Sequence, residues 1–152
     1  MADNESALSA WSEFIDAARM LKKEFDRNLS QFGISFIEFK ILSLLNEKGP
    51  TSMVNIAEEL ILTKAGVTLL TDRLEERHLL SRTRREGDRR LIYIELTSEG
   101  RDILRRAGKS HSLLVERMLS SLSSDDIARL AEITKKIVRV GTPAAVGEEK
   151  HL

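Results

Sequence analysis

Between Ser81 and Leu91 the chain carries Arg82, Arg84, Arg85, Arg89 and Arg90 against only Glu86 and Asp88, with Gly87 where the backbone must reverse. Guanidinium groups at this density cannot be packed into a core, so the segment has to stand out in solvent as a basic hairpin. On its far side Ile92, Ile94 and Leu96 alternate with Tyr93 and Glu95, the period of two that marks a strand with one buried face. Ahead of it, Thr63 to Arg77 reads as an amphipathic helix. Thr63 is its cap, Val67, Leu70 and Leu74 its inner face, and Lys64, Ala65, Thr68, Leu69 and Asp72 its outward side. A helix whose outer side is polar and small, followed directly by an arginine-bearing hairpin, is suited to gripping duplex DNA.

The run from Leu62 to Leu80, LTKAGVTLLTDRLEERHLL, followed by Asp88-Arg89-Arg90 and then by the segment Glu95 to Gly100, resembles the winged helix-turn-helix of the multiple antibiotic resistance regulator (MarR) family. The resemblance spans roughly residues 5 to 140, weakening toward both ends. It implies an all-helical dimer with a winged reading head in each subunit, acting as a transcriptional regulator and most commonly a repressor. Three positions depart from the family pattern. Leu69 stands where many members have Arg, and His78 where many have the Gly that ends the helix. Arg84-Arg85-Glu86 replaces a Pro-Asp-Pro run, which implies a more basic and less rigid hairpin. By the same resemblance, Asp72-Arg73-Leu74 is largely architectural, with Arg73 and Arg77 expected to pair with Asp72, Glu76 or other acids, and Asp88 to orient a neighbouring Arg.

The zero net charge of the 152 residues argues at first against a nucleic-acid partner, but its distribution reverses that conclusion. Residues 63–106 carry one Lys and ten Arg against eight acids, a net of +3, whereas residues 1–62 sum to −4. No stretch approaches the roughly 20 apolar residues of a membrane helix, and the acidic start is unlike a signal peptide, so a cytoplasmic protein is expected. With no Cys, thiolate metal sites and thiol redox sensing are excluded within this chain. His78, His111 and His151 share no metal-ligand spacing, and no nucleophile elbow, P-loop or dinucleotide fingerprint appears. Neither an enzyme nor a metal or cofactor is expected.

The flanks read as helices. From Ala7 to Leu29, Trp11, Phe14, Ile15, Ala18, Leu21, Phe25 and Leu29 recur at threes and fours. Gly33 breaks this helix, and Ser35 with Glu38 forms a capping box for the next, bracketed by Ile34 and Phe39 as a hydrophobic staple. Gly49-Pro50 stops that second helix. Thr51-Ser52 offers a short strand position and a cap for a helix near Met53 to Leu60, in which Ala57 permits a close helix crossing. Thr97 caps a long helix, Ser123 and Asp126 have nearly capping-box spacing, and Ile127, Leu130, Ile133, Ile137 and Val140 form a last apolar stripe.

The expected fold is therefore mainly α with a small β-hairpin wing. Residues 1–30 and 101–140 form dimerisation helices, residues 31–100 the winged helix-turn-helix, and residues 141–152, which lose periodicity and gain Gly, Pro and Glu, a disordered tail. The expected partners are a second copy of the chain and duplex DNA with pseudo-palindromic half-sites. DNA is met by Thr63, Lys64, Ala65 and Thr68 in the major groove and by Arg82, Arg84, Arg85, Arg89 and Arg90 of the wing. The family resemblance adds a small aromatic or anionic effector in a cleft lined by Trp11, Phe14, Phe36, Ile37 and Phe39; read from the residues alone, those side chains are core. The competing class is a winged-helix protein-interaction module, or an activator that binds DNA only weakly, a reading that Leu69 sustains.

Overall fold

The computed structural model describes residues 3–84, 86, 87 and 90–141. The expected tail thus lies outside the described residues except for Gly141, which closes the last helix. The order of elements is α1 (Asn4–Ser30), α2 (Phe36–Lys48), β1 (Thr51–Ser52), α3 (Met53–Leu60), α4 (Lys64–Glu76), β2 (Leu80–Arg84), β3 (Ile92–Leu96), α5 (Ser98–Met118) and α6 (Ser124–Gly141). The fold is mainly α with a small antiparallel wing. The chain divides into two compact units, one ending at Leu114 within α5 and one beginning at Val115.

In the first unit the head is assembled by local signals. Ser35 Oγ accepts the Glu38 N–H (3.2 Å) while the Glu38 carboxylate accepts the Ser35 N–H (2.8 Å), which fixes the start of α2 and explains why Glu38 can be buried. Ser52 caps α3 through the Asn55 N–H and, with Thr51, also pairs with β3, Thr51 opposite Ile94 and Ser52 opposite Tyr93. The sheet runs β1-β3-β2, with Leu80 opposite Leu96, Arg82 opposite Ile94 and Arg84 opposite Ile92. That register turns Ile94 and Leu96 into a core shared with Leu29, Ile41, Leu42, Ile56, Val67, Leu74 and Leu80, as the alternation requires.

The helix-turn-helix closes on two residues in a costly backbone conformation. Ile61 (φ +54°), the C-cap of α3, and His78 (φ +58°), just beyond α4, are both left-handed, a region that costs a residue with a Cβ about 1–2 kcal/mol. The departure at His78 therefore changes the residue without changing the turn: histidine takes the conformation that glycine would take. Its N–H reaches the Glu75 carbonyl (2.8 Å), and its own carbonyl accepts the Thr97 hydroxyl (2.6 Å).

α1 begins at Asn4 rather than Ala7, because its first turn is polar and adds nothing to the apolar stripe. Its C-terminal end is tied into the head. Asp26 Oδ1 accepts the Phe36 N–H (2.7 Å), and Asn28 Nδ2 and Gln31 Nε2 both reach Ser110 Oγ of α5 (3.1 and 3.2 Å). Before this tied end, Leu8, Trp11 and Met20 are each more than half exposed. In the second unit Ser123 and Asp126 exchange reciprocal hydrogen bonds (3.0 and 3.2 Å) that start α6, whose Ile127, Leu130, Ile133 and Val138 are exposed.

Candidate nucleic-acid interface

The candidate interface is the outer face of α4 together with the wing beside it. Thr63 Oγ1 accepts the Gly66 N–H (3.0 Å), setting where α4 starts and leaving its first turn in solvent. Val67, Thr71 and Leu74 point inward and are buried, while Lys64, Ala65, Thr68 and Leu69 are exposed, Leu69 at 54%. Thr71, a residue the sequence reading passed over, is buried because its hydroxyl donates back to the Val67 carbonyl (2.8 Å), which leaves its oxygen free to accept from Arg82 Nη2 (2.9 Å).

Arg82 differs in placement from the other wing arginines. Nη2 also meets Asp72 Oδ1 (2.5 Å) and Nε lies 3.5 Å from Glu75 Oε2, so this side chain is turned back onto α4 and only 27% exposed. It binds the wing to the reading helix. The pairing expected for Asp72, with Arg73 or Arg77, is thereby corrected: Asp72 is engaged by Arg82, and Arg77 donates to the carbonyls of Gly33 and Phe32 instead of to an acid. β2 approaches Asp72 from the side, at a distance no sequence spacing reveals. Arg84 and Arg90 are exposed near the hairpin tip. Arg85, Asp88 and Arg89 lie outside the described residues.

Comparison with known proteins bears on what this arrangement is. Residues 34–92 match the family model described as the MarR family. The uncharacterized HTH-type transcriptional regulator YkoM of Bacillus subtilis strain 168 is 30% identical, over 87% of this chain and 86% of its own. The chain belongs to the MarR family. It is accordingly a transcriptional regulator and not an enzyme. Among solved MarR-like structures, the transcriptional regulator BldR from Sulfolobus solfataricus is 31% identical with a TM-score of 0.81, covering 91% of this chain and 99% of that one. Sco3205, a MarR family regulator from Streptomyces coelicolor solved in complex with DNA, is 25% identical with a TM-score of 0.89, covering 98% of this chain and 96% of that one.

In this MarR-family chain the five residues expected to line an effector cleft are not brought together. Phe36 stacks on Phe25 (centroids 5.2 Å apart), and Phe36 and Phe39 approach the His111 ring at 5.9 and 4.9 Å; Ile37 is half-buried on the same helix. Trp11 and Phe14 touch each other (5.9 Å) but are 52% and 39% exposed. The reason is length: at 1.5 Å per residue, Trp11 sits about 21 Å along α1 from Phe25. An open groove of about 540 Å³ lies elsewhere, with Glu75, His78, Leu80, Arg82 and Glu99 in its lining and none of the five expected cleft residues.

His111, weighed from sequence only as a metal ligand, lies with Ala107 and Leu114 on the inward stripe of α5. Burial among the phenylalanines, with Lys40 adding repulsion, holds its imidazole below the ordinary 6.5, and Nδ1 is buried without a partner. The unfolded chain takes up this proton more readily than the folded one, so stability should fall as pH drops from about 6.5 through the lowered folded value. Above that range the group is neutral in both states. We predict that His111→Phe, which keeps an aromatic ring and removes the titration, loses less stability than the wild type between about pH 7.5 and about pH 5. Urea midpoints at the two pH values check this, and parallel losses in both proteins would refute it.

Proposed function

We propose that this regulator binds pseudo-palindromic duplex DNA as a homodimer and represses transcription, with α4 in the major groove and the arginine wing over the flanking minor groove. The observation that carries the reading is the exposed face of Lys64, Ala65, Thr68 and Leu69, held beside the exposed wing arginines by the Arg82–Asp72 tether. Thr63 shapes the helix start through its cap, and Arg84, Arg85, Arg89 and Arg90 supply charge toward phosphates. Arg82 serves through Asp72, fixing the angle between wing and helix. The DNA in the Sco3205 complex supports the same partner for this chain. The apolar sides of α1 and α6 are assigned to the second copy, in keeping with dimerisation segments at residues 1–30 and 101–140.

Titration of a random duplex pool at several salt concentrations tests the reading. Phosphate contacts make log affinity fall linearly with log salt, whereas apolar docking does not follow that law. The double variant Arg84→Ala/Arg90→Ala should weaken binding by roughly tenfold per lost phosphate contact near ~0.1 M salt and make the salt slope shallower by about one per contact. Unchanged affinity and slope would reduce the hairpin to a solvated loop.

The effector reading is kept for the Phe36, Ile37 and Phe39 side of the head, with Trp11 and Phe14 given up as part of the same one-chain cleft. A tenfold release from DNA needs only about 1.4 kcal/mol of differential binding between two head spacings. Salicylate at millimolar concentration is expected to weaken the gel-shifted complex, and mild peroxide to leave it intact because the chain has no Cys. Release by peroxide and not by aromatic acids would overturn this part.

A further inference from the structure

We propose that α4 reads thymine through its 5-methyl group, with Leu69 as the contact that discriminates; this inference rests on the DNA-binding reading above. The N-terminal half of a reading helix is the part that reaches base edges, and here that half presents Ala65, Thr68 and Leu69 to solvent. None of the three offers a free hydrogen-bond donor, and only the Thr68 oxygen keeps an acceptor lone pair. Ala65 and Leu69 have none, and the Thr68 hydroxyl donates to the Lys64 carbonyl of its own helix (3.0 Å), a local bond that competes with outward use.

The next polar side chain on that side, Asp72, could accept from a cytosine amino group only through the oxygen that Arg82 leaves, since Oδ1 is engaged by that guanidinium. Lys64 lies about 100° around the helix from Ala65, toward one edge of the face, where an ammonium suits phosphate. A methyl-rich surface with Lys64 at one edge is what remains. Of the four bases, adenine and guanine are read in the major groove by donors and acceptors, and cytosine by acceptors. Thymine alone presents a methyl group there.

The contact also accounts for a leucine left 54% exposed on a helix where many members of the family carry arginine. Covering one methyl group is worth about 0.8 kcal/mol, or roughly fourfold in affinity per half-site. The same chemistry disfavours RNA, since uracil lacks the methyl.

The test begins by enriching bound sequences from a random duplex pool with the full-length protein. Each thymine of the enriched duplex is then replaced singly by deoxyuridine, which deletes only the methyl. At one or more thymines of a half-site affinity should fall about fourfold, and about fifteenfold when the symmetry-related thymine is replaced too. In Leu69→Ala the thymine-to-uracil ratio at that position should shrink toward one. Circular dichroism would verify that the variant, altered only at an exposed position, is folded.

Leu69→Arg should shift the enriched base at that position toward guanine, which arginine reads with two hydrogen bonds. A ratio of one at every thymine, a ratio that survives in Leu69→Ala, or salt-dependent binding without any enriched sequence would each overturn the inference while leaving DNA binding intact. A pool that did not bind at all would remove the parent reading and this one together.

Discussion

Replacing Gly100 by alanine should cost about 3 kcal/mol or more and lower the melting temperature by about 10 °C. Gly100 is buried in the first turn of α5, and a Cβ there would lie 1.9 Å from the Leu79 carbonyl oxygen and 3.0 Å from Leu96 Cδ2. The obstacle is backbone, so no rotamer change can relieve it. That stretch of backbone is itself held: the Leu79 carbonyl accepts the Thr97 N–H (3.3 Å), while Thr97 Oγ1 accepts the Gly100 N–H (3.0 Å) and donates to the His78 carbonyl. Making room means lifting α5 off the entrance to β2 and breaking these bonds. Gly108→Ala is the control. On the same helix, with nothing within 4 Å of the added Cβ, it should stabilise by roughly 0.5–1 kcal/mol through helix propensity. Thermal melts of the two variants should therefore move in opposite directions, and equal melting points would refute the close-approach explanation.

The second large effect is expected from Ile133→Asp. Ile133 is 53% exposed near the middle of the α6 stripe, so a carboxylate there leaves the single chain's packing unharmed. In a two-fold dimer built on this stripe the change enters twice and places two unpaired charges in an apolar seam, at about 3 kcal/mol or more in total. That is over a hundredfold in the dimer dissociation constant. Sedimentation should then show monomer at micromolar concentration, with unchanged far-UV circular dichroism and a gel shift weakened at least as much, because a lone head holds one half-site. A variant that stayed dimeric would move the interface away from α6.

How much of this could be read beforehand depended on whether a signal was local. The capping box of Ser35 and Glu38, the caps at Ser52, Thr63 and Thr97, and the β3 alternation are each closed within a few residues, so spacing alone reveals them. The same locality explains why Thr71 was missed: a threonine looks polar in sequence, yet its hydroxyl is satisfied one turn back in the helix and it can be buried. Long-range pairings were not legible. Arg82 and Arg77 are arginines like their neighbours, and only the approach of β2 to α4, and of the α1–α2 turn to the end of α4, decides that they meet Asp72 and the Phe32 and Gly33 carbonyls. The effector residues failed as a set for a related reason. Aromatics near in type were grouped without the rise of a long helix, which sets Trp11 about four turns from Phe25.

The bond between Arg77 and the α1–α2 turn carries a mechanical consequence. Arg77 caps the end of α4, and its guanidinium grips the carbonyls of Phe32 and Gly33, just past the end of α1, while Asp26 of α1 holds the start of α2. Three helices thus meet at one short turn. A rotation of α1 about its axis would load these bonds at the C-terminal end of the reading helix. Guanidinium-to-carbonyl bonds suit that duty, because a planar fork on two acceptors resists twisting while a single contact would swivel.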